Sequence, residues 1–85
     1  MEIKIIPQND KFLLGLEVKG NELELLKLER EYRVGKLKHL IYNLEFTKNK
    51  ASFTLIKDDY EIIKDVLKKI EKEAKEEVDT NDNWN

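Results

Sequence analysis

Residues 21–34 read NELELLKLEREYRV, and whether this stretch is strand or helix decides how the rest of the chain assembles. A helix is supported by the capping-box spacing of Asn21 and Glu24, by the Leu, Glu and Lys content, and by Gly35 as a stop. Against it, Leu23, Leu25, Leu26, Leu28, Tyr32 and Val34 spread over roughly 240° of a helical wheel, wider than the single stripe of a surface helix. Read as a strand, Leu23 and Leu25 share one face before the pattern shifts to Leu26, Leu28 and Tyr32 on the other. That shift calls for a bulge or a sheet covered on both sides.

Register tips the reading toward strand. With Gly20-Asn21, Val34-Gly35 and Lys48-Asn49 as tight turns, Val18 faces Leu23, Leu16 faces Leu25, Leu25 faces Leu44, Leu44 faces Phe53 and Tyr42 faces Leu55. One face then collects Phe12, Leu14, Leu16, Val18, Leu23, Leu25, Leu40, Tyr42, Leu44, Phe46, Ala51, Phe53 and Leu55. The alternative, helical reading turns the chain into two successive strand-strand-helix units, since Val18 to Glu31 loosely echoes Ile56 to Lys69.

The flanking segments are plainer. Glu2 to Pro7 alternates, with Ile3 and Ile5 on one side, and Pro7 removes a backbone donor, which suits a short edge strand. Lys11 to Lys19 alternates cleanly, and Leu40 to Thr47 with Ala51 to Lys57 makes a hairpin. Residues 59–77 place Tyr60, Ile62, Ile63, Val66, Leu67, Ile70 and Ala74 within an arc of roughly 160°, the signature of an amphipathic helix. Asp58 and Glu61 give it a capping-box start. The expected fold is α+β, an antiparallel meander of four to five strands packed on one long C-terminal helix. Residues 1–78 form a single domain, and 79–85 a flexible acidic tail.

Eighty-five residues bound the core to one small domain, which a dimer interface would help. The chain has no cysteine, so neither disulfides nor thiolate metal sites arise, and a cytoplasmic location is expected. No apolar run reaches the roughly eighteen residues of a membrane span. The net charge is only −2 although 40% of residues are charged. Its distribution is polarised: Lys27, Arg30, Arg33, Lys36 and Lys38 outnumber Glu29 and Glu31, whereas acids dominate from Glu71 onward.

No enzymatic activity is expected. His39 has no cysteine to activate, Ser52 lies in a strand beside no obvious base, and Asp58 is explained by its capping position. Asp79, Asn81 and Asn83 have the start of a calcium-loop spacing without its glycine or final glutamate, and no metal or cofactor is expected. The basic segment carries the functional expectation. Lys27, Arg30, Arg33, Lys36 and Lys38 supply cations for phosphates, and Tyr32 and Tyr42 faces for base stacking, as binding of single-stranded DNA or RNA requires, although the register of Tyr42 opposite Leu55 also suits a core residue. The plainer reading of the same cations is a charged edge that blocks sheet-to-sheet aggregation. Glu76, Glu77, Asp79, Asp82 and Trp84 read as a solubilising end, or as a partner-recruiting tail like those of bacterial single-stranded DNA-binding proteins.

Lys19-Gly20 at a hairpin turn, Arg30-Glu31-Tyr32 as an Arg-Glu-aromatic strand end, and Phe53-Thr54-Leu55 with Tyr60 and Ile63 as a strand leading into a helix together resemble the transcriptional coactivator family of positive cofactor four, a Whirly-like single-stranded DNA-binding family. The likeness covers roughly residues 12–70. It implies a homodimer built on the helix, with Arg30, Tyr32 and the neighbouring lysines near nucleic acid. The chain departs from that pattern by a longer interval before Arg30, by Thr47 to Lys50 in place of a basic glycine-containing segment, and by an extra N-terminal strand. Two function classes therefore stand: a small single-stranded nucleic-acid-binding or transcription-associated protein using a basic sheet surface, and a protein-protein module such as a small inhibitor or adaptor.

Overall fold

The computed structural model describes the backbone of residues 1–83 and the side chains of residues 1–76. Strands β1 (Glu2–Pro7) and β2 (Leu13–Lys19) are followed by helix α1 (Glu22–Val34) and a 3-10 turn at Lys36–His39. Strands β3 (Ile41–Thr47) and β4 (Lys50–Ile56) then lead through a 3-10 turn at Lys57–Asp59 into helix α2 (Tyr60–Asn83). The four strands form one antiparallel sheet in the order β1-β2-β4-β3. The α+β class and the long C-terminal helix agree with the sequence reading.

The stretch 21–34 is helical, a correction to the strand assignment, and the chain adopts the strand-strand-helix repeat that stood as the alternative. Its start is built by side chains: the Glu24 amide donates to Asn21 Oδ1 at 2.9 Å, and the Asn21 amide donates to Glu24 Oε1 at 2.9 Å. At the other end the Gly35 amide donates to the Glu31 carbonyl at 3.0 Å. The wide apolar arc is accommodated because it is not all packed. Leu25 and Leu28 are buried and Tyr32 packs against the core, whereas Leu26 and Val34 are left 56% and 76% exposed.

A helix in place of a strand removes the partners expected for β2 and β3 in residues 21–34, and β2 pairs with β4 instead. Val18 lies between Ile3 and Ala51, and Leu16 between Ile5 and Phe53. Gly20-Asn21 is therefore not a hairpin; the Gly20 amide instead donates to the Asn49 carbonyl at 3.1 Å. Only Lys48-Asn49 turns a hairpin as expected, since Thr47 faces Lys50. Within β3 the register shifts between Tyr42 and Glu45, where Asn43 takes a positive φ of 56°. Asparagine tolerates that conformation better than most residues. The bulge reverses the facing of the first half of the strand, so Ile41 faces the core opposite Leu55, and Tyr42 faces outward opposite Thr54.

The core lies between one sheet face and the two helices. Leu16, Val18, Ala51, Phe53 and Leu55 meet Leu25, Leu28, Ile63, Val66, Leu67 and Ile70, and Leu37 of the first 3-10 turn closes one end. Of the predicted α2 stripe, Ile62 is the member left exposed. Asp58, expected as the residue that caps the last helix, lies inside the 3-10 turn, and α2 begins two residues later at Tyr60.

The two helix starts differ measurably. Asn21→Ala should lower stability by about 1 kcal/mol in urea denaturation, as loss of a capping side chain does, whereas Asp58→Ala should change it by less than about 0.5 kcal/mol.

Candidate interaction surfaces

The predicted basic site does not ride on the sheet. Lys27, Arg30, Tyr32 and Arg33 belong to α1, and Lys36 and Lys38 to the 3-10 turn after it. Tyr32 is half-buried against the core rather than presented as a stacking face. Helical periodicity divides the cations between flanks. Lys27 and Arg30 turn toward α2, where they share a cleft with Glu31, Lys69, Ile70 and Glu73, and Lys27 Nζ lies 4.0 Å from Glu73 Oε2. Arg33 lies on the other flank, its Nε 3.4 Å from Glu29 Oε1. The Lys36 amide donates to Glu31 Oε2 at 3.1 Å, and its side chain lines a cleft with Ile62, Asp65, Val66 and Lys69. Lys38 is exposed. The basic run is thus interleaved with carboxylates, several of them on α2.

The uncovered sheet face is balanced as well. Lys4, Lys19 and Lys50 share it with Glu2, Glu17 and Glu45, and Tyr42 stands half-exposed beside Thr54. Lys50 Nζ lies 3.0 Å from Glu17 Oε1. The hydrogen bond and charge of Lys50 hold the Glu17 carboxyl below its ordinary value. At the edge of the helix layer the Met1 ammonium lies 2.8 Å from Glu71 Oε2 and 3.8 Å from Glu24 Oε2. Its pKa is raised, chiefly by the hydrogen bond it donates to Glu71.

One surface escaped the sequence reading. On the flank of α1 away from α2, Leu25 and Leu26 form a cleft of about 210 Å³ with Phe46, Thr47 and Lys48 of the β3-β4 hairpin, rimmed by Glu22 and Glu29. Leu26 and Phe46 are 56% and 40% exposed there. The signal was present in the excess width of the apolar arc of α1, since Leu26 is the leucine that points away from the core. No sequence pattern, however, places α1 beside Phe46.

No protein-family model, no curated protein and no solved structure matches this chain. Of the residues that suggested the positive cofactor four family, Arg30-Glu31-Tyr32 lies inside α1 and Lys19-Gly20 leads into a helix rather than a hairpin, whereas Phe53-Thr54-Leu55 is a strand leading into the helix of Tyr60 and Ile63 as expected. No described helix is long and apolar enough to cross a membrane. Of the acidic tail, Glu76 is exposed on α2, while Glu77, Asp79, Asp82 and Trp84 lie outside the residues whose side chains are described.

The Glu17–Lys50 pair has a pH signature. Its carboxyl binds protons less readily folded than unfolded, so the pair contributes stability above the ordinary carboxylate range, and loses it as pH falls through the lowered folded value. In an NMR pH titration Glu17 should titrate below the ordinary glutamate value, and Lys50→Met should move it back toward that value.

Proposed function

We propose that this chain acts as a protein-interaction module, docking through the α1–β3 flank onto an apolar side chain of another protein. The observation that carries the reading is the pairing of Leu26 and Phe46, large apolar groups left open side by side over a cleft. Removing such groups from water favours association, while the polar rim keeps the free protein soluble. Glu22, Glu29 and Lys48 stand around the cleft, two carboxylates and one ammonium, which suits an apolar residue flanked by polar ones. The nucleic-acid reading has less to rest on. Polynucleotide binding draws its affinity from uncompensated cations, and here Lys27 and Arg33 have carboxylate partners while the sheet face is near neutral.

The reading is tested with a photo-crosslinking residue at position 26 and, as control, at position 64 on α2, in the cells that make the protein. A discrete protein adduct from position 26 alone, lost with Phe46→Glu in a variant that keeps its circular-dichroism melt, is the expected result. A low-salt shift assay with labelled single-stranded oligonucleotides should show no binding. A shift that weakens steeply with salt and disappears on reversing the charge of Arg30 and Arg33 would overturn the proposal in favour of a polynucleotide partner.

A further inference from the structure

The two free edges of the sheet are built differently. Strand β3 is interrupted by the shift at Asn43 and Leu44, the kind of bulge that blunts an edge against pairing. Strand β1 pairs with β2 without interruption from Glu2 opposite Lys19 to Pro7 opposite Leu14, and its far side has no neighbour among the described residues. The side chains of β1 are unfinished on both faces. On the helix side Ile3 and Ile5 lie opposite the fully buried Val18 and Leu16, yet are themselves 38% and 48% exposed. On the open side Glu2 and Lys4 lie opposite Lys19 and Glu17 and make no ion pair of their own among the described residues.

A second copy of the same strand completes both faces in one register only. Opposite residues of an antiparallel pair share a face, so any register setting odd positions against even ones places isoleucine against charge. Of the rest, a two-fold axis through Lys4 opposes two lysines, and one through Glu2 opposes two glutamates. An axis through Ile5 sets Lys4 against Ile6 and brings in Pro7, which has no amide to donate. An axis through Ile3 sets Glu2 against Lys4 twice and Ile3 against Ile3. Each row of charges then alternates across four strands: Lys19, Glu2, the second copy's Lys4, and the second copy's Glu17.

We propose that the chain forms a homodimer by antiparallel pairing of β1 with β1 about Ile3, joining two four-stranded sheets into one of eight strands. The contact is isologous and closes at two subunits, because each subunit has only one such edge among the described residues. It uses the edge opposite the α1–β3 flank and stands independently of the partner assigned to that flank.

Sedimentation equilibrium tests it with two exposed substitutions. The wild-type chain should associate as a dimer, and Lys4→Glu or Glu2→Lys should each weaken that association about tenfold or more, as like charges replace complementary ones on both sides of the axis. An equimolar mixture of the two variants should regain the dimer, since the two glutamates of one then face the two lysines of the other. The chain has no cysteine, so Ile3→Cys supplies a second readout. Mild oxidation should cross-link it between copies, because directly opposed residues lie within disulfide reach, and should leave Lys19→Cys uncross-linked. A wild-type chain that stays monomeric into the millimolar range overturns the proposal. So does a dimer indifferent to both reversals, or an Ile3→Cys chain that fails to cross-link.

Discussion

The antiparallel pairing of β2 with β4 is the constraint on which the structure rests. It runs from Leu13 opposite Ile56 to Lys19 opposite Lys50, with Leu16 facing Phe53 at its centre. It is the one seam at which two strand-strand-helix units become a single sheet. Each unit offers one apolar sheet face and one amphipathic helix, and neither hairpin would be stable alone in water. Joined through their inner strands, they place Leu14, Leu16 and Val18 beside Ala51, Phe53 and Leu55, a floor wide enough for both helices. Leu25 and Leu28 of α1 then play the part that Ile63 and Val66 play in α2. The loose internal echo in the sequence is this two-fold arrangement, offset by the extra 3-10 turn before α2.

Pairing through the inner strands also decides what the surface offers. Both outer strands become edges, and the helices, packed against one another by residues such as Lys27 and Glu73, cover one face only. Charge neutralisation follows from the same geometry. Lys27 of α1 meets Glu73 of α2, Arg33 meets Glu29 of its own helix, and Lys50 of the open sheet face meets Glu17 on the neighbouring strand. Among the large apolar groups left exposed are Leu26 with Phe46 on one flank and Ile3 with Ile5 on the other. The proposed contacts with other proteins draw on these groups rather than on a field that attracts polyanions.

The part of the candidate site that was legible was its inventory. Lys27, Arg30, Arg33, Lys36 and Lys38 are surface residues close in sequence, but their count says nothing about direction. A strand would have laid them out along one edge, whereas a helix turns each residue by about 100°, so cations three apart step round by about 60° and Arg33 ends about 120° from Lys27. The acids that partner them, Glu73 among them, come from α2 and cannot be seen from the basic segment itself. Phe46 was read as a core residue, and it does lie on the core side of the sheet opposite Ala51. Its position next to an edge leaves it half-open.

By itself the sequence determined the elements whose pattern admits one solution. The strand ending at Lys19, which starts at Leu13 rather than Lys11, the Lys48-Asn49 hairpin, Pro7 at the end of an edge strand and the stripe of α2 were readable, because period and turn chemistry are local properties of the chain. The state of residues 21–34 was carried locally too, in the Asn21–Glu24 box and Gly35, yet the breadth of the apolar arc argued the other way. That conflict was settled only by tertiary structure, which leaves Leu26 and Val34 in solvent and gives the sheet seam to β4 instead. Burial is a property of the whole fold, so which leucines of an ambiguous stretch are core, and which form a surface for another molecule, is decided by what packs against them and not by their order in the chain.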